Sequence, residues 1–175
     1  KGEVLLKDTR ISNPRGPGIE VRGCARLLAI KCSLSACDKA AAYAHANGTL
    51  ELRQCVMTHS AFAAVECVGG ARVVVRNCSI SDGFKGGVFV HSNGRAEVHT
   101  SQIARCGMAG VHVKWGGACR IEGSCISDGM QAGILVEGVS SALEIADTQV
   151  EGNGGHSILV MDGGHLCVLQ NDAST

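Results

Sequence analysis

Residues 73–80 read VVVRNCSI and residues 87–90 read GVFV, two short runs whose apolar residues recur with period two. This pattern is typical of β-strands that bury one face. The apolar residue that closes the first run, Ile80, has equivalents at intervals of 23 residues. The column comprises Ile11, Leu34, Met57, Ile80, Ile103 and Ile126, and Val150 follows after 24 residues.

Two further apolar columns keep the same step. One comprises Ile19, Ala42, Val65, Val88, Val111, Ile134 and Ile158, and the other comprises Val21, Ala44, Cys67, Val90, Val113, Val136 and Val160. Three columns in one register predict a solenoid. Leucine-rich, ankyrin, tetratricopeptide and armadillo repeats have other patterns or longer, helical units. The remaining architecture is a parallel β-helix with two strands in each coil.

The predicted rod is one domain that spans residues 1–175. Seven full coils and a degenerate eighth from Leu166, stacked at the interstrand spacing, give a length of about 35 Å. A column of small residues precedes the Ile80 column by two positions and is expected to point inward. It comprises Thr9, Cys32, Cys55, Cys78, Ser101, Ser124 and Thr148. Positive φ is expected at glycines that cluster where the coils turn, namely Gly16, Gly23, Gly48, Gly69, Gly70, Gly94, Gly116, Gly117, Gly163 and Gly164.

Composition excludes several classes of function. The formal net charge is zero, and no basic run exceeds two residues, so binding of nucleic acid is not expected. No stretch of 18 apolar residues exists, so membrane insertion is not expected either. We also expect no cofactor, because no motif for one is present.

The cysteine pattern bears on the cellular compartment. The chain has ten cysteines, of which Cys32, Cys55 and Cys78 share one inward column at a spacing that a disulfide would tolerate, but parallel side chains in register rarely reach the required dihedral angle. The pairs Cys32/Cys37 and Cys119/Cys125 are close in sequence, but each is split between an inward position and an outward or turn position, so no zinc site converges. We therefore expect nearly all of them to be free and expect no metal site. Free, buried thiols suit a reducing compartment, which predicts a cytoplasmic protein.

One column of polar residues is the best candidate for catalysis. It runs His59, Asp82, Arg105 and Asp128 along a turn. Paired carboxylates can perform acid–base chemistry on a sugar. The column also has a purely structural explanation, because alternating charges avoid repulsion between stacked turns. The turns are nearly minimal, with one single-residue insertion in 138–142, and a catalytic cleft normally needs longer walls. We expect no catalytic site.

The 23-residue units, with strands such as VVVRNCSI and GVFV, resemble the right-handed parallel β-helix repeats of the pectin-lyase-like superfamily over essentially the whole chain. The resemblance implies an all-β, single-stranded, right-handed parallel β-helix of about seven coils. The Asp-Asp motif of polygalacturonases is missing, and Gly155-His156-Ser157 matches their His motif only in part. The short coils and the cysteines look closer to non-enzymatic β-helix domains of eukaryotic F-box proteins and Shc-binding cytokinesis proteins. That resemblance implies a protein-binding platform.

Outward columns of the second strand carry large apolar and aromatic residues where solvent is expected, which marks a contact surface. The candidate partner surface comprises Tyr43, Phe89, His91, His112, Lys114, Trp115, Leu135 and Leu159. A second apolar line, comprising Phe62, Phe84, Met108 and Met130, is expected to pack under the corners. The sequence thus favours a non-catalytic protein–protein interaction scaffold within a larger intracellular protein. A carbohydrate-binding or carbohydrate-cleaving β-helix is the alternative.

The ends of the rod carry one further expectation. Solenoids normally cover their terminal coils, because bare strand edges recruit other chains. No amphipathic helix precedes Val4, and the polar tail at 170–175 is too short to cap a coil. We therefore expect a piece of a larger protein that self-associates through a terminal coil.

Overall fold

The computed structural model describes residues 3–169, which contain 22 β-strands and no helix. The polar tail at 170–175 lies outside the described residues. In the described part there is accordingly no helix of the length and apolar character that crossing a membrane would need.

The strands in chain order are β1 Glu3–Lys7, β2 Arg10–Ser12, β3 Ile19–Arg22, β4 Arg26–Ile30, β5 Ser33–Ser35, β6 Ala42–His45, β7 Thr49–Arg53, β8 Val56–Thr58, β9 Ala63–Val68, β10 Arg72–Arg76, β11 Ser79–Ser81, β12 Gly86–His91, β13 Arg95–His99, β14 Gln102–Ala104, β15 Val111–Lys114, β16 Ala118–Glu122, β17 Cys125–Ser127, β18 Ile134–Glu137, β19 Ala142–Ala146, β20 Gln149–Glu151, β21 Ile158–Met161 and β22 His165–Val168. Each strand pairs in parallel with the strand three places later in the chain, which gives three sheets. The first sheet contains every third strand from β1 to β22, eight in all. The second runs in the same way from β2 to β20 and the third from β3 to β21, with seven strands each.

Each coil contains one strand from each sheet, so the described chain forms seven full coils, and β22 begins an eighth. The prediction of about seven stacked coils is confirmed. The prediction of two strands in each coil is wrong, because the run at 73–80 breaks into two strands. Asn77, between β10 and β11, has a φ of 53°, which turns the chain by a corner where an uninterrupted strand was expected.

The core is a narrow aliphatic tube built from the predicted columns. Strand alternation sends Val73 and Val75 of β10 inward, where both are fully buried, while Val74 between them faces outward. The pairing of Val75 with Val98 repeats the same inward position in the next coil. At the described ends the inward columns are open: Val4 is 49% and Val168 is 63% exposed.

A polar ladder runs inside the tube along the predicted column of small residues. The Cys78 amide donates to the Ser101 hydroxyl of the next coil at 3.1 Å, and the Ser101 amide donates to the Ser124 hydroxyl at 3.1 Å. Each hydroxyl in turn donates to a carbonyl two residues earlier, as Ser101 does to His99 at 2.7 Å. Small size is therefore only part of the requirement. The column also supplies acceptors to buried backbone amides.

Replacing Ser101 with Ala is expected to lower the free energy of unfolding by about 1–3 kcal/mol, because the buried Cys78 amide loses its acceptor. Ser101→Cys is the matched control, because the preceding coil has Cys78 at this position and its thiol accepts a hydrogen bond from the Cys55 amide in the same way. Urea unfolding of both variants measures the difference. Equal stability of Ser101→Ala and the wild type would show that the ladder contributes nothing.

Some of the corner glycines, such as Gly23, Gly69 and Gly116, have the expected positive φ. Among the described residues 20 non-glycine residues have positive φ. Gly94 and Gly117, by contrast, lack positive φ. These two positions exclude a side chain because the backbone of the preceding coil passes close by. A Cβ on Gly94 would lie 2.3 Å from the Cys67 carbonyl oxygen. The expected positive φ at Gly94 and Gly117 is therefore wrong.

All ten cysteines are free in the structure, and seven of them are buried. Burial raises the pKa of the Cys67 thiol to about 12 and that of Cys106 to about 11, so both stay protonated at neutral pH. These thiols fill the core as small apolar groups. Cys24 is exposed.

Candidate functional site

The polar column considered above for catalysis lies at a corner of the coils, and an ion pair between two of its members links neighbouring coils. His59, Asp82, Arg105 and Asp128 all have φ between 52° and 58°. The Arg105 guanidinium donates to both oxygens of Asp82 at 3.0 Å, and this hydrogen bonding lowers the pKa of the Asp82 carboxyl. A carboxyl group held ionised in this way is a poor proton donor near neutral pH. Asp128 accepts a hydrogen bond from Ser127 instead.

The candidate partner surface lies on the outer face of the third sheet. Seven of its members stand on β6, β12, β15, β18 and β21 of that sheet, and each of them is half-buried. Trp115 follows β15 at the corner and is 60% exposed. Half-burial on an outward face arises because the side chains lie along the sheet and pack on one another.

Histidine–glutamate pairs tie neighbouring coils together on this face. The pairs are His45 Nε2 with Glu20 Oε1 at 2.9 Å, His91 Nε2 with Glu66 Oε1 at 3.2 Å, and His112 Nε2 with Glu137 Oε2 at 3.2 Å. The carboxylates of this face are thereby matched by groups of the same chain. The histidines are held in this way because the glutamates one column away reach them diagonally.

Aromatic rings form a cluster at the centre of the face. Phe89 packs on His91 with ring centroids 4.3 Å apart and stacks on His112 at 5.0 Å. Trp115 meets the His91 ring edge-on at 5.6 Å. Five of the eight predicted residues are therefore in one cluster, since Lys114 also joins it. Tyr43 stacks on His45 at 4.6 Å nearer the first coil.

Two lysines lie over the faces of aromatic rings. The Lys114 ammonium is 3.8 Å from the centroid of Trp115 and 5.6 Å from that of Phe89. The Lys85 ammonium is 4.5 Å from the centroid of Phe62. Neither ammonium forms an ion pair with a carboxylate within the described residues. A cation over an exposed ring is held by only about 0.5–1 kcal/mol, so both ammonium groups can move to a stronger partner.

Three shallow depressions follow one another along this face. The central depression, of about 390 Å³, is lined by Phe62, Glu66, Lys85, Phe89, His91, Met108, His112, Lys114 and Trp115. Phe62 and Glu66 also line a depression of about 420 Å³ beside Tyr43. Met108 and His112 also line one of about 300 Å³ beside Leu135 and Leu159. Shared residues make the three depressions one groove along the rod.

One wall of the groove is a column that sequence reasoning did not identify. It comprises Lys39, Phe62, Lys85, Met108 and Gln131, which recur every 23 residues. The expected corner packing of the second apolar line is wrong, because Phe84 is 70% and Met130 is 76% exposed. Phe62 and Met108 lie one column away from them and line the groove. The 23-residue spacing from Phe62 through Lys85 to Met108 was the available signal.

His112 makes the face sensitive to pH. Its burial, with smaller contributions from Lys114 and His91, lowers the pKa of its imidazole below 6.5 despite the hydrogen bond to Glu137. The folded chain therefore binds this proton less tightly than the unfolded chain does. Stability is retained above the ordinary histidine pKa and falls as the pH drops through it.

We expect the midpoint temperature of unfolding to decrease as the pH is lowered from about 8 to about 5. We expect this decrease to be smaller in His112→Gln. His165→Gln is the control, because His165 is exposed on β22. Thermal unfolding followed by circular dichroism across this pH range measures both. An unchanged pH profile in His112→Gln would contradict the assignment.

No group of three or more His, Cys, Asp or Glu side chains suited to a metal ion occurs within residues 3–169. Searches of curated proteins and of solved structures each gave no match. The family model described as the right handed beta helix region matches residues 17–173. Since this match covers most of the chain and agrees with the three parallel sheets, the protein belongs to the right-handed β-helix family.

Proposed function

We propose that the rod is a non-catalytic protein–protein interaction scaffold, part of a larger intracellular protein, and that it docks its partner on the outer face of the third sheet. The observation that carries the proposal is Trp115, a large aromatic side chain 60% exposed beside an aromatic groove. Tryptophan is among the residues most enriched where truncation costs an interface most of its affinity.

The backbone at Trp115 strengthens this argument. Its φ is 49°, a conformation that bulky residues rarely adopt. The equivalent positions of the other coils hold residues that are small or suit this conformation, namely Gly23, Ala46, Gly69, Ser92, Gly138 and Asp162. A bulky ring in this corner is a departure from local preference, which points to a role outside folding.

The resemblance to the non-enzymatic β-helix domains of F-box and Shc-binding cytokinesis proteins supports the same proposal by analogy of repeat style. The intracellular assignment is supported by the ten free thiols, seven of them buried. Thiol titration of denatured, unreduced protein purified from its native source tests that assignment. Several disulfides would place the protein in an oxidising compartment instead.

The test of the scaffold compares proteins captured by the wild-type rod with those captured by Phe89→Ala. Val74→Ala is the matched control, because Val74 is also half-buried and faces outward, but on the first sheet. Quantitative mass spectrometry is expected to show partners that Phe89→Ala loses and Val74→Ala retains. Equal capture by all three proteins would count against the third sheet as the docking face.

A further inference from the structure

The groove has the dimensions of an extended peptide. Its three depressions run from Pro17 in the first coil to Leu159 in the seventh. Six steps between coils at the strand spacing give about 29 Å, which an extended segment of about nine residues would span. The depressions are open and shallow, so the occupant can lie along the rod without entering the core.

The charges of the central depression are unequally matched. Its one carboxylate, Glu66, contacts His91 at 3.2 Å, and the Glu66 side chain is only 17% exposed. Its two ammonium groups, Lys85 and Lys114, contact only ring faces among the described residues. The unmatched charge in the depression is therefore positive, and it lies against the aromatic rings.

The depression also presents apolar surface beside these two charges. Phe62, Phe89, Met108 and Trp115 line the depression together with both lysines. A side chain that enters the depression therefore meets aromatic rings as well as the Met108 side chain. Its neighbours along an extended chain then pass within reach of the Lys85 and Lys114 ammonium groups.

We infer that this groove binds an extended acidic segment of a partner protein, with aromatic or aliphatic side chains in the central depression and carboxylates on Lys85 and Lys114. The inference rests on the proposed scaffold function and names the chemistry of its partner. On binding, each ammonium exchanges a ring face for a carboxylate, the stronger kind of contact. Complementary charge also speeds the encounter and rejects basic segments.

The chain has a natural fluorescent probe of binding, because Trp115 is its single tryptophan and lines the central depression. The ligand is a synthetic peptide of about seven residues with Phe and Leu at the third and fifth positions and Asp or Glu elsewhere. These two positions share one face of an extended chain. We expect this peptide to shift the emission of Trp115 and to bind at least about tenfold more tightly than a peptide with Lys at every acidic position.

Lys85→Glu is expected to lower the affinity for the acidic peptide by at least about tenfold and to raise the affinity for the basic peptide. Lys31→Glu is the matched control, because Lys31 is exposed at a corner between the first and second sheets. Binding to the wild type should also weaken as salt rises, which tests the charge contribution without any variant. Equal affinity for the two peptides, or equal losses in the two variants, would overturn the inference.

The outcomes separate this inference from the scaffold proposal. If Phe89→Ala loses captured proteins but the acidic peptide does not bind, the scaffold stands and the acidic partner is wrong. If a neutral oligosaccharide shifts the emission of Trp115 and neither peptide does, both are wrong and the groove is a saccharide site.

Discussion

Val75→Lys is expected to unfold the rod, whereas the same replacement at the neighbouring Val74 is expected to leave it folded. Val75 is fully buried in the tube, and a lysine there must place its ammonium in an aliphatic core. Burying an unpaired ion costs several kcal/mol, which is comparable to the 5–15 kcal/mol that stabilises a typical domain. Val74 faces outward between Glu51 and Glu97 of the adjacent strands, so a lysine there gains two carboxylate neighbours.

Urea unfolding followed by circular dichroism measures both variants. We expect Val74→Lys to lie within about 0.5 kcal/mol of the wild type. Because each coil contacts only its neighbours, a failure at β10 also removes support from β7 and β13. Similar losses in the two variants would show that the alternation in this strand is not as described.

Trp115→Gly is expected to abolish partner capture while leaving the rod as stable as the wild type or up to about 1 kcal/mol more stable. Glycine adopts positive φ without the steric cost that a bulky residue has there. The loss of the Lys114 contact offsets part of this gain. Truncation of a tryptophan at the centre of an interface typically costs at least about 2 kcal/mol, or about thirtyfold in affinity.

Ser92→Gly is the matched control for this substitution. Ser92 occupies the same corner in the preceding coil, with a φ of 48°, and its replacement changes the backbone in the same way without removing a ring. Affinity capture and thermal unfolding of both variants separate binding from stability. If Trp115→Gly loses stability and retains its partners, the ring serves the fold and the proposed docking face is wrong.

The fold was accessible from the sequence because stacking repeats each requirement in every coil. The column of Ile80 and the small column of Cys78 could be found by counting 23 residues, and the structure places both inside the tube. The division of each coil into three strands was not accessible in the same way. It depends on residues such as Asn77, whose left-handed conformation is compatible with its type but is not dictated by it.

The candidate site was predictable only in part. Strand alternation correctly placed Phe89 and His112 on the outer face, because period two holds wherever a strand is regular. Alternation does not predict how side chains lean across columns, and the diagonal contact of His91 with Glu66 was therefore missed. Lys85 was also missed, because it lies in the turn before β12, where no strand period applies.

The central depression belongs to no single coil: Glu66 comes from the third, Phe89 from the fourth and Trp115 from the fifth. A ligand can therefore bind there only when three adjacent coils are folded at the same time. By linkage, occupancy then suppresses the opening of any one of them by the free energy of binding. In hydrogen-exchange terms, the amides of β9, β12 and β15 would slow together on binding, and the rod's local fluctuations would be coupled over three turns of the chain.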